Sequence, residues 1–372
     1  MNETARGEMN LSLFYVTVTT MEDKTQLQAQ MLANRLQKRF RHLKKWAQRT
    51  GAGAFRLYDR DIPEIPLVLD YYGDCAVPNE AALSGALYKR PYEKDEAEEE
   101  QWLSAMKDST GSALGISLER VFLKQRQKQR GASQYEKIAE ANVTKIVSEG
   151  DLVFKVNLSD YLDTGLFPDR RLLRAMIRGE SSDKKVLNLF SYTGSFSVCA
   201  AAGGAVSTDS IDLSNTYLSW ARENFSLNGF SASLLQQWDF FSDSCPQSAH
   251  KLIRADALAF LEKAAAAKSR WDIIVLDPPS FSNSKKMADN FDLNRDIIGL
   301  LGKCLLLLAP GGKIYLSVNT RRSAVTQGEL EAELRSQSTA KTENVCVTDI
   351  SEKIIDEDFN GKKTPRAFLI TL

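Results

Sequence analysis

From residue 186 onward, short apolar runs alternate with segments of helical period, and that alternation constrains the fold more than any other feature. Strand-like runs stand at Val186–Phe190, Val206–Asp212, Lys251–Ala255, Asp272–Leu276, Lys313–Val318, Asn344–Ile350 and Ala367–Thr371. Helical segments begin between them near Ser195, Ser214, Ala257, Asp292 and Val325. Strand, helix, strand is the unit from which parallel sheets are wound. The segment therefore predicts an α/β layer built on a mainly parallel sheet. One stretch, 231–249, is long for a connection and carries Trp238, Phe240 and Phe241, so it reads as a lid or an insertion.

In open α/β sheets, ligands bind beyond the carboxyl ends of the strands. Four ends line up here. The first runs from "LNLF" into Ser191-Tyr192-Thr193-Gly194, a tight turn before a helix. A dinucleotide fingerprint would need three spaced glycines, and this turn has one, so the ligand is not expected to be held by a pyrophosphate. The second run ends in Asp212, which suits a ribose diol, and the third is followed by Asp256, which suits an exocyclic amine. Each of these could also be only a helix cap. The fourth ends in Asp277-Pro278-Pro279-Ser280, where two prolines stop the strand and stiffen the backbone beside a carboxylate. Together these ends fit S-adenosylmethionine better than a nicotinamide dinucleotide.

Composition narrows the alternatives. Lys plus Arg and Asp plus Glu are 48 each, so there is no net charge to announce a polyanionic partner. The five cysteines are scattered with no C-x-x-C pair, and only His42 and His250 are present, so no metal site is expected. No apolar run approaches a membrane span and "LSLFYVTVTT" at 11–20 lacks the flanks of a secretory signal, so no membrane association and a cytoplasmic protein are expected. Ahead of the α/β segment, residues 24–49 read as an amphipathic helix, with Leu32, Leu36, Phe40, Leu43 and Ala47 on one face and seven cations, including Arg39, Lys44 and Lys45, on the others. A second basic stretch, 118–137, carries Lys124, Arg126 and Lys128. From composition alone these are solvated faces or phosphate-contacting ones.

The motifs in combination resemble a known family. "MLANRLQKRFRHLKKWA", "FRLYDRDIPE", "VNLSDYLDTGLFPDRRLLR", "LNLFSYTGSFSV", "DLSNTYLSWARENFSLNG" and "DPPSFSNSKKM" are similar to segments of the bacterial methyltransferases of large-subunit (23S) ribosomal RNA, in particular the guanine-N7 half of the bifunctional members. The resemblance implies a Rossmann-like, seven-stranded class I methyltransferase domain over 161–372. It implies a smaller α+β RNA-contacting domain over 22–160, and it leaves 1–21 unassigned. It implies S-adenosyl-L-methionine as cofactor and ribosomal RNA as partner. Carried over by position, Asp212 holds the ribose, Asp256 faces the adenine, and Ser191, Tyr192, Thr193 and Gly194 flank the methionine moiety. Phe167, Asp169 and Arg170 lie on the cofactor side, with Arg170 as the expected grip on the methionine carboxylate. The same carry-over includes Asn188, Phe190, Leu213, Ser214 and Ala257. Asp277, also counted with the cofactor residues, faces the target base with Pro278 and Pro279. The chain departs from the pattern in lacking an upstream second methyltransferase half, in Pro168, and in the length of 231–249.

The acceptor atom follows from what is missing. Enzymes that methylate cytosine at carbon 5 first add a Cys thiolate to the ring. The strand ends where that Cys should stand read "SVNTRRS" and "DPPSFS", with Asn319 in the former and no Cys in either. Guanine nitrogen 7 has a free lone pair and needs alignment alone, worth up to about 7–11 kcal/mol in good cases. The target base must be flipped or unpaired, and Phe281 is placed to stack on it or to fill the core. With the resemblance, Arg39, Lys44, Lys45, Lys124, Arg126 and Lys128 become expected RNA contacts. A cytosine-5 enzyme and a non-catalytic RNA-binding assembly factor remain the alternatives.

Overall fold

The first helix, α1 (Met21–Thr50), turns one apolar stripe inward: Leu32, Leu36 and Leu43 are fully buried, with Trp46 and Ala47 nearly so. Glu22 and Asp23 in its first turn and Arg49 in its last complement the helix dipole. The stripe packs on a four-stranded sheet of β1 (Ala54–Asp59), β2 (Leu67–Tyr72), β3 (Ala82–Leu87) and β4 (Val121–Gln125), in that order. The first three strands are antiparallel; β4 returns parallel to β3 through α2 (Glu96–Leu114), as a parallel pair requires a crossover. A hairpin, β5 (Thr144–Glu149) and β6 (Leu152–Asn157), follows and is wedged between this unit and the next. Val147, Phe154 and Val156 of the hairpin share one apolar cluster with Ala54 and Tyr72 on one side and Val198 and Phe225 on the other. The structure is a computed structural model and describes residues 21–89, 95–125, 140–242, 245–282, 291–319, 326–337, 343–362 and 364–372.

Beyond the hairpin, α3 (Arg171–Glu180) leads into the large sheet. Its strands are β7 (Lys185–Leu189), β8 (Ser207–Asp212), β9 (Ala232–Gln236), β10 (His250–Arg254), β11 (Trp271–Leu276), β14 (Leu308–Val318), β15 (Cys346–Asp349) and β16 (Arg366–Thr371). Two short strands, β12 (Phe281–Ser282) and β13 (Phe291–Asp292), pair with each other just after β11. The sheet order is β15-β16-β14-β11-β7-β8-β10-β9, with β16 alone reversed among the described strands. Helices α4 (Ser195–Ala202), α5 (Asn215–Leu227), α7 (Ala257–Ala266), α8 (Leu293–Leu307) and α9 (Gln327–Ser336) fill the connections expected to hold helices. The order runs outward from β7 to β8 and then resumes on the other side with β11. The switch point thus falls between β7 and β11, the pair whose carboxyl ends carry Ser191–Gly194 and Asp277.

The sheet has eight strands where seven were expected. The extra one is β9, which lies outside β10 and parallel to it. The stretch 231–249 is therefore not simply a lid. Leu235 is buried, and at the end of the short α6 (Gln237–Phe240) the rings of Phe240 and Phe241 pack 5.4 and 5.3 Å from Phe260, covering apolar surface that a loop would leave wet. Trp238 points out, 66% exposed.

Candidate active site at the carboxyl ends of the sheet

The turn after β7 is held in an unfavourable backbone conformation. Phe190 and Tyr192 have φ of 58° and 49°, and Gly194 has φ 73°. A non-glycine residue in this region costs roughly 1–3 kcal/mol, and such residues cluster where a site must be preorganised. Glycine is needed at 194 for a second reason: a Cβ there would sit 2.8 Å from the Ala221 side chain of α5. The strain is held in place by neighbours. The Tyr192 amide donates to Asp212 Oδ2 at 2.9 Å, and its ring lies between Phe167 and Tyr217, at 5.6 and 4.5 Å. The Thr193 hydroxyl donates to the Gly165 carbonyl at 2.5 Å, and Asn224 Nδ2 donates to the Thr193 carbonyl at 2.9 Å.

Asp212 accepts at both oxygens, from Tyr192 N–H and from Ser214 N–H at 2.8 Å. Burial pushes its carboxyl up to about 6, and these amides oppose the rise. Asp256 accepts from the Ala259 amide at 3.0 Å and caps α7, while Ala257 is buried behind it. Leu213 and Ser214 are half-buried at the mouth, and Ser214 caps α5. Asn188 is placed differently: it is 1% exposed and donates to Ser197 Oγ at 2.9 Å, bracing α4 beneath the turn.

The turn after β11 is held by an arginine. Arg170, 4% exposed, donates to Asp277 Oδ1 at 3.0 Å and Oδ2 at 3.2 Å, and to Asp169 Oδ2 at 2.8 Å. Burial works against its charge, but Asp169 and Asp277 together hold the guanidinium above its ordinary range. This corrects the expectation that Arg170 grips a cofactor carboxylate, because its fork already closes on two protein carboxylates. Pro278 is buried, and Ser280 Oγ donates to the Asn319 carbonyl at 2.8 Å, tying the ends of β11 and β14 together. Phe281 is 41% exposed and so is not a core ring. Cys199 and Cys304 are buried in α4 and α8, where burial pushes their thiols well above the ordinary range.

The chain belongs to the S-adenosylmethionine-dependent methyltransferase family.

The family model described in those words matches residues 79–337. The chain is 40% identical over 338 residues, 91% of its own length and 86% of the relative's, to the ribosomal RNA large subunit methyltransferase K of Neisseria meningitidis. It is 39% identical to the methyltransferase K/L of Magnetococcus marinus, spanning 89% of this chain and 41% of that longer protein. Among solved structures, a protein described as a methyltransferase and crystallised with SAH superposes with a TM-score of 0.67 at 22% identity, covering 92% of this chain and 82% of that one. A SAM-dependent methyltransferase from Agrobacterium tumefaciens gives 0.53 at 20% identity, over 82% and 86%.

The residues present fit S-adenosylmethionine. Asp212 offers a fixed carboxylate, and Ser191 Oγ and Asp169 Oδ1 are buried without a hydrogen-bond partner in the segments flanking the switch point. Unpartnered buried polar atoms are costly, and a polar ligand would satisfy them.

Four supporting residues escape sequence reasoning. Gly165 has φ 97° and lies against the Trp220 ring with no room for a Cβ, Trp220 Nε1 donates to the Lys155 carbonyl at 2.9 Å, and Asn224 links Lys155 to Thr193. Tyr217 meets the Tyr192 ring edge to face. Trp220 and Asn224 stand four apart on α5, so they share a helix face, which is the one signal that pointed inward.

The expected RNA contacts divide. Lys45 is exposed and Lys44 half-buried, while Arg126 and Lys128 lie outside the described residues. Lys124 is not available to phosphate: it is 8% exposed, its ammonium donates to the Tyr161 carbonyl, and burial lowers it to about 8 against the opposing pull of Asp163 and Asp160. Arg39 is partly committed, with Nη2 donating to the Asp358 carbonyl at 3.3 Å.

Proposed function

We propose that this methyltransferase modifies large-subunit (23S) ribosomal RNA and that its product is 7-methylguanosine. The relatives named for that RNA support the substrate class. The observation that carries the acceptor atom is the Arg170 fork: both Asp277 oxygens already accept from it, and neither strand end beside the turn holds a Cys. Such a site serves an acceptor with a free lone pair better than one that must lose a proton or be attacked first.

When bound, S-adenosylmethionine supplies the methyl group on a sulfonium. The chain's own part is binding and orientation. Asp212 accepts from the ribose diol, Asp256 from the adenine amine, and Ser191–Gly194 present the turn to the methionine end. Asp277 and the rigid Pro278-Pro279 backbone face the guanine, and Phe281 stacks on its exposed face. Holding the reactants in line is the main source of rate for such a transfer. Lys44 and Lys45, with the exposed Arg41 on the same helix, contact phosphates.

The test is methyl transfer to unmodified 23S rRNA followed by borohydride and aniline treatment. The expected product is cleaved at one guanosine. A product that resists cleavage and digests to 5-methylcytidine overturns the acceptor, and cofactor binding with no transfer to any ribosomal RNA overturns the substrate.

A further inference from the structure

The turn after β7 rests on a loop from outside the large sheet. Residues 158–165 follow β6, and this loop is braced from within. The Asn157 amide donates to the Thr164 carbonyl at 2.9 Å, and Asn157 Oδ1 accepts from the Ser159 and Asp160 amides at 3.1 and 2.8 Å. Asn closure of this kind fixes the course of a turn.

One side of the loop holds the turn after β7. The Gly165 carbonyl accepts from the Thr193 hydroxyl at 2.5 Å. Tyr161 sets its ring 6.4 Å from Tyr217 and 6.1 Å from Trp220, the α5 rings that back Tyr192 and Gly165. The other side of the loop is held by the N-terminal sheet. The Tyr72 hydroxyl of β2 meets Thr164 Oγ1 at 2.8 Å, and the Lys124 ammonium of β4 donates to the Tyr161 carbonyl. Tyr72, Thr164, Lys124 and Thr193 are all buried. Every link from β2 to the turn is thus a hydrogen bond or a peptide bond: Tyr72 to Thr164, Thr164 to Gly165, Gly165 to Thr193. Packing alone does not require the first of these, since a phenylalanine at 72 would fill nearly the same volume. The hydroxyl pair adds direction, which apolar contact lacks, and a buried hydroxyl left without its partner is costly.

We infer that Tyr72 and Thr164 are positioning residues for S-adenosylmethionine, through which the N-terminal sheet sets the conformation of the Ser191–Gly194 turn. The inference rests on the reading that places this turn against the cofactor. A turn with Phe190 and Tyr192 at positive φ must be held by its surroundings, and this loop supplies one of the holds. The N-terminal sheet is then part of the cofactor site, although none of its strands belongs to the sheet that carries that site.

Tyr72→Phe removes the hydroxyl and leaves the ring. Tyr71→Phe is its matched control, because Tyr71 is equally buried on the same strand but donates to the Asp74 carbonyl of its own unit, at 3.2 Å. Hydrogen exchange read by mass spectrometry without cofactor tests the link alone. A peptide covering 184–198 is expected to exchange several-fold faster in Tyr72→Phe and at the wild-type rate in Tyr71→Phe, with a peptide covering 308–318 unchanged in both. The calorimetric Kd for S-adenosylmethionine is expected to rise about fivefold in Tyr72→Phe and to stay within twofold in Tyr71→Phe. Thr164→Val should match Tyr72→Phe, and the double variant should lose no more than either alone. Thr164→Ser keeps the hydroxyl and should stay within twofold of wild type. Unchanged exchange in 184–198 overturns the inference, as does an equal effect of Tyr71→Phe or an additive loss in the double variant. Should Tyr72→Phe fail to fold, Thr164→Val is held to the same outcomes. The underlying reading fails by a different sign: if S-adenosylmethionine binds the wild type without slowing exchange in 184–198, the turn does not face the cofactor and the inference falls with it.

Discussion

The two sides of the site are built by opposite means. On the cofactor side, Asp212 is held by backbone amides from Tyr192 and from Ser214, two residues away, on adjacent strands of one sheet. Its partners are neutral and come from the turns that the strands themselves make. Beside β11, Asp277 is held by a charged side chain 107 residues distant, from a turn that packs against β1. Amide-held carboxylates need only a correct sheet. Guanidinium-held ones need a partner delivered from a distant part of the chain, because an unpaired buried charge is far more costly than an unpaired dipole. The comparison teaches that the placement of Asp212 is a property of the large sheet, and that of Asp277 a property of a turn brought to the sheet from outside it.

The sharpest way to break this contrast is Asp277→Ala. It leaves Arg170 buried with half its partners, so a stability loss of about 3–5 kcal/mol is expected in urea unfolding. Transfer should fall by roughly 100-fold or more through lost orientation. Affinity for S-adenosylmethionine should change by only a few-fold; a large loss would mean that the two sides are not separable. The mirror variant, Asp212→Ala, should lose about 1.5–3 kcal/mol of cofactor binding by calorimetry while its unfolding stays cooperative. Retained affinity would remove Asp212 from the cofactor site.

The contrast also has a pH signature. With Asp212 pushed up to about 6, the folded chain holds a proton there that the unfolded chain releases near the ordinary carboxyl value. The folded state thus gains stability as pH falls from about 6 toward 4. Cofactor affinity moves the other way, weakening about tenfold per pH unit below 6, because a protonated carboxyl is a poorer acceptor for a diol. A flat affinity between pH 5 and 7 would contradict this.

The smallest expected effects concern the basic surface. Arg41→Gln with Lys45→Gln should weaken RNA binding modestly and flatten its salt dependence by up to about 0.7–0.9 for each phosphate that is no longer neutralised. Lys124→Met should leave that slope unchanged. Its effect lies in stability: the folded ammonium titrates near 8, so the unfolded chain binds the extra proton between about 8 and 10.5 and wild-type stability rises with pH across that window. The variant should lose that rise. A changed salt slope would return Lys124 to the RNA-facing surface.

Seven of the eight strands of the large sheet, the helix starts between them and the residues at the strand ends were legible in the chain itself, because they depend on apolar period, on short turns and on caps that a residue forms with its near neighbours. The single-glycine turn and Asp212 belong to that class, and so does the absence of a Cys at the acceptor strand ends. Tertiary structure decided the rest. It placed β9 on the sheet edge, turned Arg170 from an expected ligand contact into the holder of Asp277, and buried Lys124 among the 158–164 carbonyls and carboxylates. An isolated cation reads the same in sequence whether it meets phosphate, cofactor or a carboxylate a hundred residues away. Burial alone makes the choice, since a charge removed from water must take whichever partner the packed chain brings to it.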